Sequence, residues 1–108
     1  RSSRRIVTAL PATLRRAELR GDIQAAQVID LSLGGARLLT EVDGFRVGDE
    51  LDVLLGAIAT RAEVRHVQPH GHDRLCTIGI QFAPLDGRNR RHLLETVGSL
   101  RAGMHRWR

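Results

Sequence analysis

Hydrophobic and polar residues alternate along most of the chain up to Phe82, and the alternation is that of β-strands. The plainest case is 58–67. Ile58, Thr60, Ala62 and Val64 fall on one face, and Arg61, Glu63 and Arg65 on the other. A period of two marks a strand with one buried and one wet face. Over 75–82, Ile78, Ile80 and Phe82 share a face opposite Thr77, Gly79 and Gln81. Further strands are predicted over 6–16, 23–29, 36–40 and 50–55. Pro11 marks the first of these as an edge or a bulge, because proline cannot donate to a sheet ladder. Turn chemistry separates the strands at Arg20-Gly21-Asp22, at 31–35, over 41–48, at Gly56 and over 69–74. After Phe82 the period changes. Leu93, Val97, Leu100, Met104 and Trp107 recur every three or four residues, which is one face of a helix, and Asp86 is its predicted N-cap. The opposite face carries Arg90, Arg91, Arg101 and Arg106, while Gly98 and Gly103 weaken the later turns. Short strands followed by one helix predict an all-β barrel or sandwich with a C-terminal helix.

Composition narrows the picture. A chain of 108 residues, 42% hydrophobic, suits one domain with one modest core. It holds no apolar run of the roughly 18 residues that a membrane helix needs. Cys76 is the only cysteine, so no internal disulfide can form, and a cytoplasmic setting is expected. Arg1 stands where an initiating Met would be, so the chain is expected to be part of a longer protein. The 17 basic residues outnumber the 12 acidic ones, and every basic residue is Arg. The guanidinium fork matches phosphate oxygens and the guanine edge, so the net charge of +5 favours an anionic partner.

Two stretches concentrate candidate chemistry. In Arg1-Ser2-Ser3-Arg4-Arg5, three arginines precede the first strand. Even fully extended, this stretch separates Arg1 from Arg5 by no more than about 13 Å, so both can converge on one dianionic ligand if it curls. Alone, it also reads as a solvated basic tail. In Asp30-Leu31-Ser32-Leu33-Gly34-Gly35, Asp30 can accept from a guanine N1–H and amine, and Ser32 can donate to a phosphate oxygen or to its own turn. Gly34 and Gly35 are expected to permit positive φ and a close approach of ligand to the main chain. Alone, this is also an ordinary turn in which Asp and Ser cap their own backbone.

Taken together and in this strand context, the two stretches resemble the PilZ domain family. Arg1 and Arg5 have the spacing of its Arg-x-x-x-Arg motif, the strand Ile6-Val7-x-Ala9-Leu10-Pro11-Ala12 follows, and Asp30, Ser32 and Gly35 form its Asp-x-Ser-x-x-Gly motif. Val47-Gly48-Asp49-Glu50-Leu51 resembles its lead-in to the fourth strand, and Ile78-Gly79-Ile80-Gln81-Phe82 its strand before the helix. The resemblance implies a six-stranded antiparallel PilZ-type β-barrel with a C-terminal α-helix. It would be divided as an N-terminal switch segment 1–5, a barrel over 6–82 and a helix over 86–107. It implies cyclic di-GMP as ligand, with no cofactor and no metal. Arg1 and Arg5 would engage phosphate and the guanine Hoogsteen edge. Asp30, Ser32, Gly34 and Gly35 would surround a guanine and a phosphate, and Arg4 would contact a second nucleotide of an intercalated dimer. The spacing of the two motifs and the helical tail from Ser99 to Trp107 are most similar to the PilZ domain of the bacterial cellulose synthase catalytic subunit. That likeness implies a fused, UDP-glucose-dependent membrane glycosyltransferase and a place at the cytoplasmic face of the inner membrane. A flagellar brake, a pilus or alginate regulator, or an adaptor is the alternative setting.

Other functions find less support. A sequence-tolerant nucleic-acid-binding barrel needs aromatic stacking platforms, and the aromatic residues are Phe45, Phe82 and Trp107 alone, so no DNA or RNA partner is expected. His66, His70, His72, Asp73 and Cys76 cluster in sequence without the spacing of a zinc site, and a polar hairpin loop accounts for them. No P-loop, nucleophile elbow or catalytic carboxylate pair is present, so this domain is not expected to be an enzyme.

Overall fold

The computed structural model describes residues 6–8, 10–17, 23–41, 44–71 and 73–106. They form seven strands and a helix: β1 (Ile6–Val7), β2 (Pro11–Arg16), β3 (Gln24–Leu31), β4 (Gly35–Glu41), β5 (Glu50–Leu55), β6 (Ile58–Pro69), β7 (Leu75–Phe82) and α1 (Gly87–Arg106). The sheet runs β3-β2-β5-β6-β7-β4, every neighbour antiparallel, and β4 pairs back onto β3. This is a closed six-stranded barrel, with the short β1 laid along the end of β3. Closure leaves no long open sheet edge.

The single strand predicted over 6–16 is two. β1 pairs with Asp30 and Leu31, and β2 with the other end of β3, from Gln24 to Gln27. Between them Thr8 N donates to Ile29 O at 2.9 Å and Val28 N to Leu10 O at 2.7 Å. Pro11, which has no N–H to give the ladder, stands at the first position of β2 rather than within a strand.

Inward-facing residues make one core. Leu14, Val28, Leu31, Leu38, Leu51, Ile58, Val64 and Ile78 are all buried, as the period of two requires. Fully burying each such aliphatic side chain stabilises the fold by about 1.5–3 kcal/mol relative to exposure. Phe45 closes part of this core from the 44–49 loop, and the Arg16 guanidinium lies over its ring at 4.7 Å.

α1 packs Leu93 and Val97 into the same core, with Leu100 half-buried beside them. Met104 and Trp107, the last members of the predicted stripe, lie outside the described side chains. Asp86 caps the helix as expected: its Oδ1 accepts from Asn89 N at 2.8 Å, and its carbonyl accepts from Arg90 N at 2.9 Å. Asn89 then pins this first turn to the barrel. Its Nδ2 donates to Ala59 O at 3.0 Å and its Oδ1 accepts from Ala59 N at 3.1 Å. Asp86→Ala is expected to lower stability by about 1 kcal/mol, read as a lower urea midpoint at unchanged slope. An unchanged midpoint would mean that the Asn89 clamp alone holds the turn.

Candidate functional site

The Asp-x-Ser-x-x-Gly stretch is the hairpin between β3 and β4, and its geometry begins with a β-bulge. Ala26 and Val28 face inward, and simple alternation would carry Asp30 inward with them. The β3–β4 register shifts between Val28 and Asp30. The extra residue reverses the phase, so Leu31 turns into the core and Asp30 joins the outer wall. Asp30 lies between Val7 on β1 and Arg37 on β4, and it is only 2% exposed. A carboxylate this covered requires a partner. Arg37 Nε donates to Asp30 Oδ2 at 2.6 Å, while the Arg37 side chain stays 51% exposed.

Ser32 takes the second of its two expected roles. It is buried, its N donates to Gly35 O at 2.9 Å, and its Oγ donates to the same carbonyl at 3.3 Å. The hairpin is thereby held shut from within. Phe82 N donates to Gly34 O at 2.9 Å, tying the turn to the end of β7.

The expected reason for the two glycines needs correcting. The described glycines with positive φ are Gly44, Gly48 and Gly56; Gly34 and Gly35 are not among them. Gly35 is required by proximity instead. A Cβ there would stand 2.1 Å from Ile80 O and 3.1 Å from Ile80 C, on the backbone of the neighbouring β7. At Gly34 a Cβ would meet nothing within 4 Å. The glycine of the motif lets two strands of the barrel close up, whatever it offers a ligand.

Asp30, Ser32, Gly34 and Gly35 are thus brought together on one hairpin. Arg1, Arg4 and Arg5 lie outside the described residues. Ile6, which follows Arg5 directly, pairs with Leu31, so the described chain starts beside this hairpin. Sequence reasoning missed Arg37. The signal was available in the hairpin count: with Leu31 opposite Ala36, Arg37 must fall opposite Asp30.

The turn also borders a cavity that it shares with the helix. This cavity, of about 250 Å³, is lined by Leu33, Gly34, Phe82, Pro84, Arg90 and Leu93. Among the described residues, the histidine-rich stretch around β7 does not converge. Cys76 faces the core, and burial pushes its thiol pKa up. His70 Nε2 and Thr77 Oγ1 are hydrogen-bonded at 2.9 Å, His66 is exposed on β6, and His72 lies outside the described residues.

A closed six-stranded barrel with a C-terminal helix and an Asp-x-Ser-x-x-Gly hairpin on its outer wall defines a small β-barrel of the PilZ kind. The PilZ domain family matches residues 1–99, and the chain belongs to that family. Solved structures share the fold. The PilZ domain of YcgR from Escherichia coli, solved with c-di-GMP, is 15% identical with a TM-score of 0.80, over 98% of this chain and 95% of that one. The K. pneumonia MrkH–c-di-GMP complex is 16% identical with a TM-score of 0.82, over 100% of this chain and 55% of that one. The Bacillus subtilis inhibitor of motility MotI/DgrA is 16% identical with a TM-score of 0.72, over 89% of this chain and 48% of that one. The chain therefore spans about half the length of MrkH and of MotI. No curated protein matches it.

Proposed function

We propose that the chain is a cyclic di-GMP-binding regulatory module that passes a ligand-dependent change to an output domain. The carrying observation is the hairpin: a bulge places the buried acid Asp30 on the outer wall, next to Ser32 and beside the strand that follows Arg5. In this reading Asp30 accepts from the guanine N1–H and amine. Ser32, Gly34 and Gly35 border the phosphate. Arg1 and Arg5 bond phosphate and the guanine Hoogsteen edge through charge-assisted forks. Arg4 reaches the second nucleotide of an intercalated dimer. The role is binding without catalysis, in the cytoplasm.

Residues 1–5 are the switch segment of this scheme, 6–82 the barrel and 86–107 the helix. Ordering a short segment costs about 1–2 kcal/mol per residue, which several Arg contacts offset. The hairpin turn and the start of α1 line one cavity of about 250 Å³, which supports transmission toward the C-terminal side. For the output, the helical tail favours a cellulose synthase glycosyltransferase, and the likeness to YcgR, MotI and MrkH favours a regulator of motility or transcription equally well. Phe45 and Phe82 are both buried, so neither serves as a stacking platform for single-stranded nucleic acid.

Hydrogen exchange tests the switch. With cyclic di-GMP at saturation, the backbone amides of residues 2–5 are expected to exchange more slowly, together with those of 31–35. Slowing at 31–35 without any change at 2–5 would contradict the role of the arginine segment.

A further inference from the structure

The outer wall carries a row of cross-strand neighbours that neither motif contains. Asp30 on β3 pairs with Arg37 on β4, Arg37 with Gly79 on β7, and Gly79 with His66 on β6. Arg37 is anchored at one atom only. Its Nε holds Asp30 Oδ2, and its Nη1 and Nη2 make no bond to any described residue. The anchored Nε limits the freedom of the guanidinium, so less entropy is lost when its other nitrogens bind. Gly79, its neighbour on β7, has no side chain, and a Cβ there would stand 3.4 Å from His66 Cβ. The row therefore presents an anchored cation next to the acid that the proposed function assigns to guanine.

We propose that Arg37 is a ligand-binding residue, donating from Nη1 and Nη2 to a phosphate oxygen of the bound cyclic dinucleotide while its Nε keeps the Asp30 carboxylate in place. This rests on the reading of the hairpin as a cyclic di-GMP site. The carboxylate can serve both partners. Its two oxygens offer about four lone-pair positions, more than a single Arg37 bond occupies. His66, at the far end of the row, pairs with the same Gly79.

Calorimetric titration of cyclic di-GMP into the 108-residue chain and three variants tests this. Arg37→Met is expected to weaken binding by about tenfold or more, and its affinity should depend less on added salt than the wild type's. Arg37→Lys keeps a cation but lacks the planar fork that directs separate nitrogens to Asp30 and to phosphate. It is expected to bind more weakly than wild type and more tightly than Arg37→Met. Arg61→Gln removes an exposed arginine paired with Glu50 and Asp52 on the β5–β6 wall, and should stay within about twofold of wild type. If Arg37→Met leaves Asp30 uncompensated and fails to fold, Arg37→Lys decides. Wild-type affinity in a folded Arg37 variant overturns the proposal while the cyclic di-GMP site stands. No binding by the wild-type chain overturns both.

Discussion

Replacing Gly35 with alanine is expected to destabilise the domain by about 3 kcal/mol or more, while the same change one residue earlier, at Gly34, is nearly silent. The two glycines are adjacent in sequence and differ in what faces them. The added methyl at Gly35 would stand 2.1 Å from the carbonyl oxygen of Ile80, and backbone atoms cannot swing aside as a side chain can. β7 is paired on both flanks, to β4 and to β6, so moving it disturbs two ladders at once. At Gly34 the space is open within 4 Å and φ is not positive, so alanine is tolerated. For a domain of this size 3 kcal/mol corresponds to a fall in Tm of roughly 12–24 °C. Equal Tm shifts for Gly34→Ala and Gly35→Ala would refute the close-approach account. Because the effect acts on the barrel itself, the loss should appear without any ligand present.

Arg5→Ala is expected to abolish measurable cyclic di-GMP binding and to leave Tm unchanged within a degree or two, a pattern opposite to that of Gly35→Ala. Ile6 pairs with Leu31 and Val7 with Asp30, so Arg5 directly precedes the strand that pairs beside the motif hairpin. A bidentate, charge-assisted contact to phosphate or guanine is among the stronger polar interactions a site can make. Losing it, and the ordering of the segment that depends on it, removes more than one bond. Wild-type affinity in this variant would detach the arginine motif from the site. A large fall in Tm would assign Arg5 to the fold instead.

Much of the barrel could be read from alternation alone. On β6 up to Val64 and on β7, the residues predicted to face inward are the observed ones, although Thr77 on the other face of β7 is also buried. The helix and its Asp86 cap were legible from a single dominant period. What alternation could not show is where it breaks. The bulge after Val28 leaves no mark in composition, yet it decides whether Asp30 faces the core or the outer wall. A strict period of two would have turned the Asp30 carboxylate into the core beside Val28 and carried Leu31 out of it. The division of the first strand is similar: Pro11 signalled an interruption, but not that the residues before it would pair with a different stretch of β3.

The candidate site was half legible. Motif spacing located Asp30, Ser32 and Gly35 on one turn, and the structure brings them together there. The reason for the glycine was misread, because a close contact with Ile80 comes from a strand 45 positions further on and has no local signature. Arg37 was overlooked because it lies outside the motif, although hairpin pairing places it opposite Asp30. Both omissions concern partners across strands, which a pattern along the chain does not display.

The central claim is that this barrel binds cyclic di-GMP, and isothermal titration of that ligand into the chain tests it most directly. The account predicts saturable binding that is lost in Arg5→Ala and not reproduced by a single-stranded oligonucleotide. No heat of binding from a folded wild-type chain, or equal binding of the oligonucleotide, would contradict it.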